Sequence, residues 1–226
     1  VKGILFKPEM IKALVVGRKT ITRRLQGFTE INIDPDGWEC TGRNPDGTVW
    51  GFENYRLQKQ VLVKPRYLPG EVVYIKEAHY AYGYWTLEIK GWTFRRCPDM
   101  KVSFASDSSL WEHASTKPSE KEMWYKRSPL FLPSEDARYF IQITDVRPER
   151  LQEITASDCV KEGIKIPDLT AGTDFDIDGN LWSQGERKFI KAYADLWDSI
   201  NKANQWASNP WLWHIEFKMG SFRLTI

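Results

Sequence analysis

The densest run of reactive side chains is Gly17-Arg18-Lys19-Thr20-Ile21-Thr22-Arg23-Arg24. A lysine acts as a base only as the free amine, and like charge from Arg18, Arg23 and Arg24 would lower the pKa of Lys19. An amine released in this way can take a proton from the Thr22 hydroxyl or from a water. In a regular strand Lys19 and Thr22 would face opposite ways, because side chains alternate with a period of two. Their cooperation therefore requires a turn near Thr20-Ile21. The same run dominates the charge of the chain. Residues 1–26 hold seven cations (Lys2, Lys7, Lys12, Arg18, Lys19, Arg23, Arg24) and one acid, Glu9, giving +6. The whole 226-residue chain has a formal charge of only +2, so the remaining 200 residues carry −4. That total excludes a uniformly basic coat for nucleic acid. A local positive field remains, serving either an anion or polar ligand or a solvated face.

Other chemistries find little support. Cys40, Cys97 and Cys159 are odd in number and far apart, and no CxxC spacing occurs, which argues against a disulfide framework. His79, His113 and His214 are equally scattered, and no zinc site is expected. Asp174-Phe-Asp176-Ile-Asp178-Gly179 resembles the first half of a calcium loop, but Gly185 stands where its bidentate Glu belongs, so a polar turn is the better reading. GxSxG, P-loop and GxGxxG patterns are missing. Trp211 and Trp213 alternate, so both rings face one way, into a core or toward a planar base. Aromatics make up 14% of the chain, with 11 Trp, and pose the same choice between packing and stacking. No apolar run reaches the roughly 18 residues of a membrane span, and the N-terminal residues have no signal-like pattern. The expectation is a cytoplasmic protein with reduced thiols.

The elements that must position these groups are mostly strands. A short strand at 3–6 leads to a helix with Pro8 and Glu9 in its first turn and a stop at Gly17. Residues 28–63 read as β, with turn signals at Asp34–Gly37 and Asn44–Gly47. Further strands are predicted over 71–77, 138–146 and 211–219, and a hairpin over 82–105. Residues 106–135 read as a long surface excursion. Thr155-Ala-Ser-Asp158 starts a short helix that Gly163 ends, and Phe189, Tyr193, Leu196, Trp197 and Ile200 mark one face of a helix over 188–202. The order is not βαβα, which favours one α+β domain built on a small mixed β-barrel with a few flanking helices.

Gly17-x-Lys19-x-x-Thr22-x-Arg24 matches the GxKxxTxR signature of the ASCH family, whose fold is a PUA-like β-barrel. Pro69 to Glu77 resembles the family's PGD-hydrophobic-x-V-x-E strand. Arg138 to Val146 and Glu149 to Gly163 resemble its strand followed by an L-x-x-I-T-x-x-x-A-x-x-E-G helix. Leu196 to Asn201 and Asn209 to Phe217 are similar to the C-terminal helix and strand of the longer, phage-associated members. The resemblance implies a single domain over 1–226, with insertions at about 26–60 and 81–127.

Small bacterial members of the family are amidohydrolases that deacylate N4-acetylcytidine. The resemblance implies catalytic roles for Lys19 and Thr22 in the signature and for Glu162 near the end of the short helix. Either Thr22 attacks the acyl carbonyl with Lys19 as base, or Glu162 activates water while Thr22 and Lys19 hold the oxyanion. Arg24 would balance the pocket's charge, Glu77 would bind sugar or base, and Trp213 would stack on the pyrimidine. The scheme needs no metal or cofactor. Its partner is a small nucleoside, with no membrane and no obligate protein partner. The alternative is a non-catalytic RNA-binding PUA-like module that sets the +6 segment against phosphates. A third possibility is an interaction protein whose insertions dock a partner.

Overall fold

The computed structural model describes residues 1–104, 114–165 and 180–220. The chain is α+β and mostly strands. In chain order these elements are β1 (Lys2–Leu5), α1 (Pro8–Val15), β2 (Ile21–Arg24), β3 (Glu39–Arg43), β4 (Trp50–Asn54), β5 (Lys59–Val63) and β6 (Val72–Lys76). They continue with β7 (His79–Glu88), β8 (Gly91–Arg96), β9 (Ser103–Phe104), β10 (Met123–Arg127), β11 (Phe140–Arg150), α2 (Ala156–Lys161), α3 (Asn180–Ile200) and β12 (Trp211–Gly220). No described helix is long and apolar enough to cross a membrane. The Asp174–Gly179 segment lies outside the described residues.

The chain divides into two compact units, each assembled from separate stretches. The first holds Val1–Ile11, Val72–Ile141 and Gly220–Ile226. Here β1 runs parallel to β6, with Gly3 opposite Tyr74. A second sheet has the order β10-β7-β8, and β9 also pairs with β7. The predicted hairpin is β7–β8, turned at Gly91 with φ +113°. The predicted surface excursion is corrected by β10, which takes the place beside β7 with Tyr125 opposite Ala81. Tyr125 is 1% exposed, so this strand is core structure despite its Ser-, Lys- and Pro-rich flanks.

Gly83 on β7 lets β8 approach closely. A Cβ there would lie 2.2 Å from the Arg95 carbonyl oxygen and 2.8 Å from Cζ of Phe94. Gly83→Ala is therefore expected to cost about 1–3 kcal/mol, the usual range for overpacking. Urea unfolding at neutral pH would measure it, and an unchanged midpoint would show that the strands simply part.

The second unit holds Lys12–Glu71 and Gln142–Met219. Its strand order is β11-β12-β2, beside a separate antiparallel sheet β3-β4-β5. The Asn44–Gly47 turn joins β3 to β4 as predicted, whereas Pro35–Gly37 forms a single 3-10 turn rather than a hairpin. Phe28, Phe52, Trp211 and Trp213 build an aromatic core, with Phe28–Trp213 centroids 4.8 Å apart and Phe52–Trp211 centroids 5.1 Å apart. None of the sheets closes into a barrel among the described residues, in contrast to the expected small barrel. β2 has only four residues and then leaves the sheet for the turns that precede β3, which leaves it no length to meet a further strand.

Helices α2 and α3 pack on a cluster of Leu151, Ile154, Cys159, Ile164, Tyr193, Trp197 and Leu212. α3 begins well before the predicted start at 188, and Ile200 is 49% exposed rather than on the buried face. Burial pushes the Cys159 thiol up to about 12, which makes it a packing residue rather than a nucleophile.

Candidate functional site

Lys19 sits in the connection between α1 and β2, and the helix ending places it there. Gly17 takes φ +73° after the helix, a conformation that favours glycine. The backbone N–H groups of Arg18 and Lys19 both donate to Ala13 O, at 2.9 and 3.0 Å. The turn needed for Lys19 and Thr22 to cooperate therefore falls at 17–20, before the strand begins. Thr20 N–H then donates to Lys161 O at 2.9 Å, which ties this connection to the end of α2.

The Lys19 side chain curls back along the strand that follows it. Its Nζ donates to Ile21 O at 2.9 Å, to Glu162 O at 2.8 Å and to Glu162 Oε2 at 2.6 Å. Ile21 O belongs to the peptide that enters Thr22, so Nζ is bound one peptide from the Thr22 backbone. Lys19, Thr22 and Glu162 are 3%, 1% and 5% exposed. The structure thus brings Lys19 and Glu162 into direct contact, and Thr22 is buried on β2 next to the Ile21 carbonyl that Nζ binds.

Glu162 owes its position to α2. Thr155 caps that helix, accepting from Asp158 N–H at 3.1 Å, and Glu162 is its C-terminal cap. Gly163 follows with φ +99°. A helix this short carries its cap to the Lys19 connection, 143 residues away in sequence.

Burial lowers the Lys19 pKa from the ordinary lysine value, against the raising effect of Glu162; Arg24 and Arg23 lower it further. The physical cause differs from the sequence expectation, in which like charge led. Three partners around Nζ suit an ammonium donating three bonds. They equally suit a neutral amine that donates to the two carbonyls and accepts a proton held on Glu162 Oε2. The proton can therefore move within the 2.6 Å pair while the heavy atoms stay in place.

The other carboxylate oxygen, Glu162 Oε1, lies 3.4 Å from the Tyr193 hydroxyl on α3 and 3.5 Å from Arg23 Nη1. Arg23 is the hub of a second cluster. Its Nε and Nη2 both donate to Glu149 Oε1, at 3.0 and 2.6 Å, and Nη2 reaches Asp158 Oδ2 at 3.1 Å. His214 lies opposite Arg23 in the β12–β2 register, and its Nδ1 is 2.8 Å from Glu149 Oε2. That distance assigns the Nδ1 proton, since two lone pairs would repel there. Glu149, Asp158 and His214 bring ligand atoms within 4.8 Å of one another, a spacing a metal ion accepts. The Arg23 guanidinium already occupies that position as the cation, and a metal would meet its charge at contact distance.

The remaining nominated residues divide differently. Arg24 follows on β2, opposite Trp213 in the register, and its guanidinium lies within the field of Glu162; burial lowers its pKa. Trp213 is 1% exposed, packed against Phe28, with its indole N–H on Gln26 O at 2.8 Å. It is a core ring here, not one presented to a base. Glu77 belongs to the first unit, where Arg138 Nη2 donates to its Oε2 at 2.6 Å. Its carboxylate is engaged by that guanidinium.

Sequence reasoning missed Arg23, Glu149, Asp158, His214 and Tyr193 as members of the site. Arg23 lay inside the signature but off its pattern, and alternation along β2 was the one signal separating it from Thr22 and Arg24. Nothing local marked the others, which reach the site through strand register and helix packing. No protein-family model, curated protein or solved structure matches this chain.

Proposed function

We propose that the protein is an amidohydrolase that removes the acyl group from N4-acylated cytidine-type nucleosides. The carrying observation is the buried Lys19–Glu162 pair at 2.6 Å beside the strand that bears Thr22. Non-catalytic packing has little use for two opposite charges withdrawn from water, because such a pair contributes little or nothing to stability relative to apolar residues. In a site that moves protons the same pair supplies both an acceptor and a donor.

The Lys19 amine takes the Thr22 proton as Thr22 Oγ1 attacks the acyl carbonyl carbon. The tetrahedral adduct collapses, the C–N4 bond breaks, and the cytosine amine leaves with a proton delivered through Glu162. Lys19 then takes a proton from a water that attacks the Thr22 ester carbonyl; the C–Oγ1 bond breaks and that proton passes to Thr22 Oγ1, which releases the carboxylic acid and restores the hydroxyl and the pair. Arg24 adds positive charge near the developing oxyanion. The burial of Lys19, Thr22 and Glu162 means that a nucleoside enters only as the packing around them opens. The reading carries with it the PUA-like fold of the ASCH family and a cytoplasmic setting.

The test is incubation of purified protein with a panel of N4-acyl cytidines, with a chelator present, and separation of products by chromatography. Stoichiometric cytidine and carboxylic acid are the expected products, unaffected by the chelator. No release from any panel member, in protein shown to be folded, would reject the proposal.

A further inference from the structure

We infer that Tyr193 is a positioning residue: held against Glu162 by α3, its hydroxyl fixes Oε1 and so leaves Oε2 to Lys19. The inference rests on the reading of Lys19 and Glu162 as the reacting pair. Tyr193 is 4% exposed and packs near Trp197 and Trp206, with centroids 6.2 and 6.5 Å away. A phenylalanine would fill that space equally well. Burying a hydroxyl is costly unless it is bonded, and the bond here is the 3.4 Å contact with Glu162 Oε1.

The two carboxylate oxygens are thereby made unequal. Oε2 has the short contact with Lys19, and Oε1 faces two donors, Tyr193 and Arg23, at 3.4 and 3.5 Å. Arg23 is directed elsewhere, with its short bonds going to Glu149. Burial first, and then the charge of Glu162, raises the Tyr193 pKa well above its ordinary value, so the phenol remains a donor. The charged and titratable groups around Glu162 are Lys19 from the α1–β2 connection, Arg23 and Arg24 from β2, Asp158 and Cys159 from α2, and Tyr193 from α3. Among these, Tyr193 is a neutral donor to the acid, and its hydroxyl can be removed with no change of net charge.

In Tyr193→Phe the kcat for N4-acetylcytidine should fall about tenfold with KM within about twofold, as expected for an interaction that orients the reacting groups. Incorporation of 3-fluorotyrosine at 193, which keeps the shape and the hydroxyl, should restore kcat. A second arm needs no turnover: crystal structures should show the Glu162 carboxylate in a single orientation in wild type, and turned or split between orientations in Tyr193→Phe. That loss of order supports the positioning role even if no acylcytidine is hydrolysed, an outcome that rejects the proposed function alone. A Glu162 carboxylate that keeps its orientation in Tyr193→Phe, or an unchanged kcat in an active enzyme, overturns the inference.

Discussion

Replacing Lys19 by Met should lower the kcat expected for N4-acetylcytidine by about 10³-fold, in the middle of the range for a lost acid–base group. Glu162→Gln should do the same, and the double variant should be no slower than either single one. The expectation of non-additivity comes from the 2.6 Å contact: the two side chains act as one hydrogen-bonded unit, so removing either disables it. Stability behaves in the opposite way. Lys19→Met leaves the Glu162 carboxylate buried without its closest cation, which costs about 3–5 kcal/mol. Lys19→Met combined with Glu162→Leu removes both charges and should recover most of that loss while remaining inactive. Urea unfolding and chromatographic rate measurements on the four proteins separate the two effects. An inactive but fully stable Lys19→Met would show the pair to be already neutral in the resting protein. A Lys19→Met that retains rate would remove the lysine from the mechanism.

The pH dependence of that rate follows from the same burial. The amine is the working form, and burial lowers the Lys19 pKa against the opposing pull of Glu162. The rate should therefore rise with pH and level off below the ordinary lysine range, where a solvent-exposed lysine would still be gaining amine.

Lys19 and Thr22 stand out in the sequence within a basic run, whereas Glu162 was singled out only by the resemblance to the ASCH family; short-range rules account for where the structure puts Lys19 and Glu162. Gly17 demands a helix stop, the stop throws Lys19 into a connection rather than onto the strand, and the capping of α2 fixes where Glu162 emerges. Glu149 and Asp158, the partners of Arg23, and His214, which binds Glu149, were not legible, since they lie 126, 135 and 191 residues from Arg23. Only the β2–β12 register puts His214 opposite Arg23, and a one-residue slip would have offered Trp213 or Ile215 instead. Trp213 shows the same limit from the other side. Its alternation with Trp211 correctly gave one shared face, but alternation does not say whether that face meets Phe28 or a nucleobase. The barrel failed for a related reason: closure depends on which strands end as edges, and the shortness of β2 is a matter of tertiary context. β10 was hidden because its five residues lack a clean polar and apolar alternation.

The Arg23 cluster gives the second large effect, one of stability. Arg23→Met removes the guanidinium that Glu149 and Asp158 share, leaving two carboxylates near each other and near Glu162. The expected loss is about 3–5 kcal/mol at neutral pH. Arg23→Lys, which keeps the charge but cannot span both acids with a planar fork, should fall between. The pH dependence separates this from simple loss of packing. Burial pushes the Glu149 carboxyl up, but the hydrogen bond from His214 and the charge and hydrogen bonds of Arg23 outweigh it, and the net direction is below the ordinary carboxylate value. A group with a depressed folded-state pKa contributes stability that is complete above its unfolded value, about 4.3 for Glu, and lost as pH falls through the folded value. Wild-type protein should therefore lose this contribution below about pH 4. In Arg23→Met the opposing cation is gone, burial prevails, and protonating Glu149 relieves rather than costs. The stability difference between wild type and Arg23→Met should shrink steadily on acidification from pH 7 toward pH 4. Urea midpoints across that range measure it. A difference that stays constant with pH would mean that Arg23 contributes through packing alone, with its charge unimportant to Glu149 and Asp158.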